Sequence, residues 1–260
     1  MPNPVHYTTP TTPDGEVIGY LWGDPVEVGW IDRTASSLGA YLAGRDWYRK
    51  MDAARRRGLT PYAVVELLSR EPGAGPVTGA HSVTALEELS RTVTAADDQR
   101  LLAELHPVDS AAWQELADAF GALTDEDRTV RTGGGDQIRE GVYEVSYPVY
   151  TQPLWRAVHA LSGIGAVTPE HRWVDTPLDP DTPFGALHPA DAVRAATAIV
   201  RGERLCEGTL ALAVKIGLLD AVAASLGTWH AARQGMGKAA VGHHPGCTSG
   251  PAMPYVAEAK

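Results

Sequence analysis

Cysteine is nearly missing from this chain of 260 residues, which holds only Cys206 and Cys247. One sits inside an apolar helical pattern and the other in a Gly/Pro-rich tail, so no disulfide framework is expected and a reducing, cytoplasmic compartment is. Long apolar runs are missing as well. No stretch approaches the roughly 20 uninterrupted apolar residues of a membrane helix, and the opening MPNPVHYTTPTTPDG lacks the basic start and apolar centre of a secretory signal. Neither membrane association nor export is expected. Positive charge is scarce: 22 Lys and Arg against 32 Asp and Glu leave a net charge of −10, which disfavours broad attachment to nucleic acid or to an anionic membrane. Catalytic signatures are scarce too, with no G-x-S-x-G, no H-E-x-x-H and no complete dinucleotide fingerprint. The neighbouring acids Glu87-Glu88 and Asp97-Asp98 splay about 100° apart on a helix, which suits solvent better than acid–base work. The sequence therefore assigns no catalytic residue, no cofactor and no metal.

What is present is an ordinary globular composition, 44% hydrophobic and 21% charged, enough for a sizeable core. Residues 1–15, rich in Pro and Thr, read as a flexible arm. Residues 16–70 read as a hairpin plus a helix pair. Ile18, Tyr20 and Trp22 alternate, Gly23-Asp24-Pro25 supplies a turn, and Val26, Val28 and Trp30 alternate again. A helix is expected from Thr34 to Arg57 with Leu38, Tyr41, Leu42, Tyr48 and Met51 on its inner stripe and Gly58 as its stop. A second follows, capped by Thr60 with Pro61 at its first position. Residues 71–80, EPGAGPVTGA, read as a linker.

Beyond it a helical α+β domain is expected over 81–226. The capping-box spacing of Thr84 and Glu87 predicts a helix over 84–92, followed by helices at 95–105 and 110–123. GVYEVSYPVYT reads as one strand near 142–149 with Tyr143, Val145, Tyr147 and Val149 on one face, and Pro148 suits an edge. Further helices are expected from Pro153 to Gly163 and over 189–201, 204–216 and 218–226, after a Pro-rich crossing at 176–189. Residues 227–260 read as a disordered tail. The fold class is thus α+β, mainly helical, with several short helices and a small antiparallel sheet.

Charge is unevenly placed. From Gly58 to Asp127 thirteen acids face three bases, whereas Gly44 to Arg57 holds six bases and two acids. Arg55, Arg56 and Arg57, beside Trp47 and Tyr48, are nucleic-acid candidates, set against the plainer reading of cations complementing a helix C-terminus. The tail offers His243, His244 and Cys247, at most three donors without a fourth at zinc spacing. Its Gly235-Met236-Gly237-Lys238 fails as a phosphate loop, because Ala232 and Ala239 occupy required positions.

The most informative string is AIVRGERLCEGTLALAV. Arg201, Arg204 and Gly208 fall at i, i+3 and i+7, so on one helix both guanidinium groups share a face with a residue that has no side chain. Such a cluster is either an anion pocket or a set of ion pairs with Glu203, Glu207 or another acid. Cys206 beside these arginines is either an activated thiol or a small buried hydrophobe. The string R-G-E-R-L-C-E-G, with VYEVSYPVYT and the helix after it, resembles a bacterial family of unknown function marked by R-x-x-R-F-C-x-G, over about 113–226. Leu205 stands where that family more often has Phe. The resemblance implies a shared fold and a shared use of Arg201, Arg204 and Gly208, with no activity to carry over. The leading functional expectation is an accessory or interaction domain with a protein partner or a small anionic ligand. The alternatives are an enzyme clamping a small anionic substrate through Arg201 and Arg204, with Glu203 or Glu207 moving the proton, and a nucleic-acid-binding protein using 45–57.

Overall fold

The computed structural model of the protein describes residues 4–174, 185 and 187–241. The chain is α+β and mainly helical, with one four-stranded antiparallel sheet.

The N-terminal half is built on that sheet, in the order β3-β2-β1-β4. Strands β2 (Gly19–Gly23) and β3 (Val28–Asp32) form the expected hairpin, with Gly19 opposite Asp32 and Gly23 opposite Val28. Asp24 closes the turn by accepting from the backbone N–H groups of Val26 and Glu27, both at 2.7 Å. Two expectations about its surroundings are corrected. The arm carries β1 (Val5–Thr8), which pairs with β2, and the supposed linker carries β4 (Thr78–Ala80), which pairs with β1. The Thr8 hydroxyl donates to the Gly75 carbonyl at 2.6 Å, and Thr11 N–H to Gly73 O at 2.8 Å. Glycine and proline in 71–80 thus serve a close backbone crossing rather than a free connection, and a hairpin that would be marginal alone becomes part of a larger sheet.

Helices α1 (Leu38–Arg56) and α2 (Pro61–Leu68) cover one face of the sheet, burying Leu21, Trp47, Met51, Val64, Val65 and Leu68 together. The expected inner stripe of α1 is corrected. Leu38, Leu42 and Tyr48 are exposed, and the buried face is Ala40, Gly44, Trp47, Met51 and Ala54. Small residues win that face because the helix lies close on the sheet: a Cβ on Gly44 would stand 3.2 Å from Trp30 and from Asp32. The helix also starts four residues later than expected, at the Ser37 cap, because Thr34 is held by the Ser90 carbonyl. Gly58 (φ +79°) and the Thr60–Pro61 start of α2 are as expected. On the other face α3 (Val83–Ser90) packs Leu86 against Val5 and Trp22. Its cap is Ser82, not Thr84, and the reciprocal box forms instead at Thr94 and Asp97 of α4 (Ala95–Ala103).

The C-terminal half is a helical bundle. Helices α4, α5 (Ser110–Gly121), α6 (Gln152–Gly163), α7 (Pro189–Glu203), α8 (Thr209–Lys215) and α9 (Leu218–Val241) share one core, running from Leu101 through Trp113, Leu161 and Ile199 to Leu226. Ala192, Val193, Ala195 and Ala196 of α7 are fully buried, and their small size lets neighbouring helices close in. The expected single strand at 142–149 is divided: β7 (Val142–Tyr143) pairs with β6 (Gln137–Arg139), and β8 (Tyr147–Val149) pairs with β5 (Arg131–Gly133). Pro148 lies in a strand with one partner only, as an edge residue should. The tail expectation is corrected as well, since α9 carries the chain helically through 227–241. His243, His244 and Cys247, and residues 176–184 of the crossing, lie outside the described residues. Among the described residues no single helix is long and apolar enough to cross a membrane.

Helix α4 joins the halves, its Leu101 in the bundle core and its first turn against the sheet. Asp97, 2% exposed, accepts both Arg33 amino groups, one at 2.7 Å, and Arg33 is itself 5% exposed. Burial pushes the Asp97 carboxyl up, but the Arg33 and Thr94 hydrogen bonds and the Arg33 charge outweigh it and hold the group at about 2. Arg100 reaches Glu16 at 2.9 Å and the Ala35 carbonyl at 2.5 Å. Arg172 stacks 3.7 Å over the Tyr41 ring.

Candidate functional site

The string that drew attention in the sequence is the end of one helix, a turn and the start of another. Helix α7 stops at Glu203, and the expected helix over 204–216 begins only at Thr209. Arg204 is the C-cap, and the backbone turns back on itself through Leu205 and Cys206, whose N–H groups both donate to Gly202 O at 2.9 and 2.7 Å. Gly202 allows this, because a Cβ there would lie 3.1 Å from Thr209. Gly208 takes φ +96°, the left-handed conformation that only glycine enters freely, and a Cβ on it would meet nothing. Its role is to reverse the chain into α8. The expectation that Gly208 shares one helix face with Arg201 and Arg204 is therefore corrected.

Glu203 explains why the turn holds. Gly208, as N-cap of α8, has no side chain with which to satisfy the first N–H groups of that helix. The Glu203 carboxylate supplies the missing acceptor from outside: Oε1 accepts from Gly208 N–H at 3.2 Å and Oε2 from Leu210 N–H at 2.7 Å. The Tyr150 hydroxyl donates to the same Oε1 at 2.7 Å. Burial, then the hydrogen bond and charge of Glu203, raise the Tyr150 phenol well above its ordinary range, so it stays a donor. Glu203 is thus committed to the backbone and to a tyrosine, and pairs with neither arginine.

The two arginines part company. Arg204 is exposed and lines a groove of about 520 Å³ between the α7 end, β8 and α6, together with Tyr147, Tyr150, Trp155, His159 and Glu207. Tyr150 and Trp155 meet edge to face at 5.4 Å, and Trp155 stacks on His159 at 6.0 Å, so one wall is continuous aromatic surface. Arg201 is not on this groove. Its charge falls on His171, a residue 6% exposed whose Nε2 has no partner among the described residues. Burial first, then the Arg194 and Arg201 charges, push the His171 imidazole down to about 4. Among the described residues no carboxylate lies within 4 Å of either Arg201 or Arg204. Leu205, 73% exposed, and Cys206, exposed and free, stand on the outside of the turn, so Cys206 is not the buried hydrophobe that its apolar neighbours suggested.

The other candidates are less well placed. Arg55 and Arg56 both pair with Asp52, at 3.3 and 2.7 Å, and Arg57 is the C-cap of α1. Trp47 is 7% exposed under the Lys50 ammonium, and Lys50 pairs with Glu71 at 2.6 Å, so that aromatic is not available for base stacking. Gly235 to Lys238 belong to helix α9, not to a loop. No group of three or more His, Cys, Asp or Glu among the described residues is arranged to hold a metal ion. What sequence reasoning missed is the polar cleft around Arg33, Asp97 and Arg100, whose partners are more than sixty positions apart and leave no local signal.

Residues 108–232 match the model of a family of unknown function, DUF6508. The α7–α8 turn and both its arginines fall inside the matched segment, and the N-terminal sheet falls outside it. No curated protein and no solved structure matches the chain.

Proposed function

We propose that the protein is an accessory or interaction module that holds an anionic group at Arg204, with the body of the ligand against the Tyr150–Trp155–His159 wall. The observation that carries this reading is an exposed guanidinium with no acid partner among the described residues, at the rim of an aromatic groove. A planar fork of donors suits carboxylate or phosphate. Glu207 lines the same groove, so a bare anion meets opposing charge and the ligand needs an aromatic or apolar body to gain from the wall. Arg201 does not line this groove, its charge acts on His171, and it is no second clamp. Of the two carboxylates that an enzymatic role would use to move a proton, Glu203 is occupied by the α8 backbone, and Glu207 is left on the groove. The exposed thiol of Cys206 supports a reducing, cytoplasmic setting.

Calorimetric titration with phenyl phosphate tests the reading, with inorganic phosphate as the bare anion. Phenyl phosphate is expected to bind and inorganic phosphate to bind about threefold to tenfold more weakly, as loss of one aromatic contact implies. Arg204→Ala is expected to abolish binding and Arg201→Ala to leave it unchanged. Binding that survives Arg204→Ala, or no binding of phenyl phosphate by a folded protein, refutes the proposal.

A further inference from the structure

A second cleft lies far from the α7–α8 turn, between the loop that joins β1 to β2, strand β2 itself and the α3–α4 junction. Its volume is about 410 Å³. Its charges balance internally, Arg33 with Asp97 and Arg100 with Glu16 and Asp97, although Arg100 Nε is buried without a partner among the described residues; the two Glu16 oxygens also accept from Ser37 N–H and Oγ at 2.6 and 2.7 Å. One carboxylate lining the cleft is left over. Asp14, exposed at the mouth, accepts from Thr12 Oγ1 at 2.5 Å and from its own backbone N–H, and pairs with no cation among the described residues. The Thr12 hydrogen bond, first among its influences, keeps its carboxyl below the ordinary range, so it is charged at neutral pH.

The inner wall holds an unused polar group. Tyr20 is 5% exposed and lines the cleft, yet no described residue shares a hydrogen bond with its hydroxyl. The hydroxyl is not closed off from solvent, so a bound molecule or water in the cleft can reach it. Burial raises the phenol pKa, with the Arg33 charge opposing, which leaves a neutral hydroxyl able to accept as well as donate. Val17 and Leu89 add apolar wall between Tyr20 and the mouth.

We propose that this cleft binds a small amine carrying one positive charge, its ammonium between Asp14 and the Tyr20 hydroxyl and its alkyl part along Val17 and Leu89. The charge balance selects the class. With both arginines neutralised and one carboxylate in excess, a monocation completes the site and an anion adds to the excess. The cleft lies outside the family-matched segment and is independent of the groove at Arg204.

The test is an amide-detected NMR titration of the full-length protein at neutral pH with three probes of one shape, n-butylammonium chloride, butan-1-ol and sodium butyrate, against sodium chloride as a salt control. Butylammonium is expected to give saturable shifts at Gly15, Tyr20 and Leu89, with butanol up to about fivefold weaker, the ordinary worth of one exposed ion pair, and butyrate silent. Asp14→Asn, on an exposed loop where the fold is not at stake, is expected to bring butylammonium to the level of butanol. Tyr20→Phe is expected to weaken butylammonium about threefold to tenfold, the loss of one ordinary, partly solvated hydrogen bond. Absence of saturable shifts, butyrate binding as tightly as butylammonium, or an affinity untouched by Asp14→Asn overturns the proposal.

Discussion

Replacing Glu203 by Ala removes three hydrogen bonds at once, those from Gly208 N–H, Leu210 N–H and the Tyr150 hydroxyl. Loss of a helix N-cap acceptor costs about 0.5–2 kcal/mol, and a hydrogen bond to a charged group adds about 1.5–3 kcal/mol where the partner stays buried. The three donors are partly exposed, so water recovers a share of this, and the net loss should be about 2–3 kcal/mol. At about 2–4 °C per kcal/mol for a chain of this size, the thermal midpoint should fall by roughly 5–10 °C. Tyr150→Phe alone should cost about 1 kcal/mol. Because Tyr150 acts through Glu203, the double variant should be more stable than the sum of the two losses predicts, by about 1 kcal/mol in a double-mutant cycle. Urea unfolding of the four proteins measures all of these. A loss under about 0.5 kcal/mol for Glu203→Ala, or strict additivity with Tyr150→Phe, would refute the reading of Glu203 as the external cap of α8.

Three further expectations concern the seam and the bundle. His171 takes up a proton less readily in the fold, at about 4, than in the unfolded chain, near 6.5, so its contribution is complete above pH 6.5 and is lost as pH falls toward 4. The loss approaches about 3 kcal/mol, and His171→Gln should flatten urea-unfolding stability across that window. Asp97 stays ionised to lower pH in the fold, at about 2, than in the unfolded chain, at 3.8, so a separate loss of at most about 2 kcal/mol should begin below pH 3.8 as the carboxylate is protonated. At neutral pH, Asp97→Ala leaves Arg33 buried with only the Thr92 carbonyl and should cost about 3 kcal/mol by the same measurement.

Much of the fold was legible because local rules decided it. The β2–β3 turn, the Gly58 stop, the Thr60–Pro61 start and the edge position of Pro148 each depend on residues within a few positions of one another. The errors share a different cause. Strands β1 and β4 are short and become strands only by pairing with each other and with β2, which no local pattern reveals. The inner face of α1 follows Ala40 and Gly44 rather than Leu38 and Leu42, because close contact with Trp30 favours lack of bulk over hydrophobicity. At the candidate site the helical spacing of Arg201 and Arg204 was legible. The break after Glu203 was not, because Arg204, Leu205 and Cys206 carry no strong stop signal and the turn depends on a carboxylate folding back onto α8.

The central claim is that Arg204, and not Arg201, is the open cation of this turn. The most direct measurement follows the guanidinium Nε–Hε signals of both arginines by NMR during a titration with phenyl phosphate. The Arg204 signal should move saturably while that of Arg201 stays in place. Movement of Arg201 with Arg204 at rest, or of neither at concentrations where the ligand binds, would contradict it.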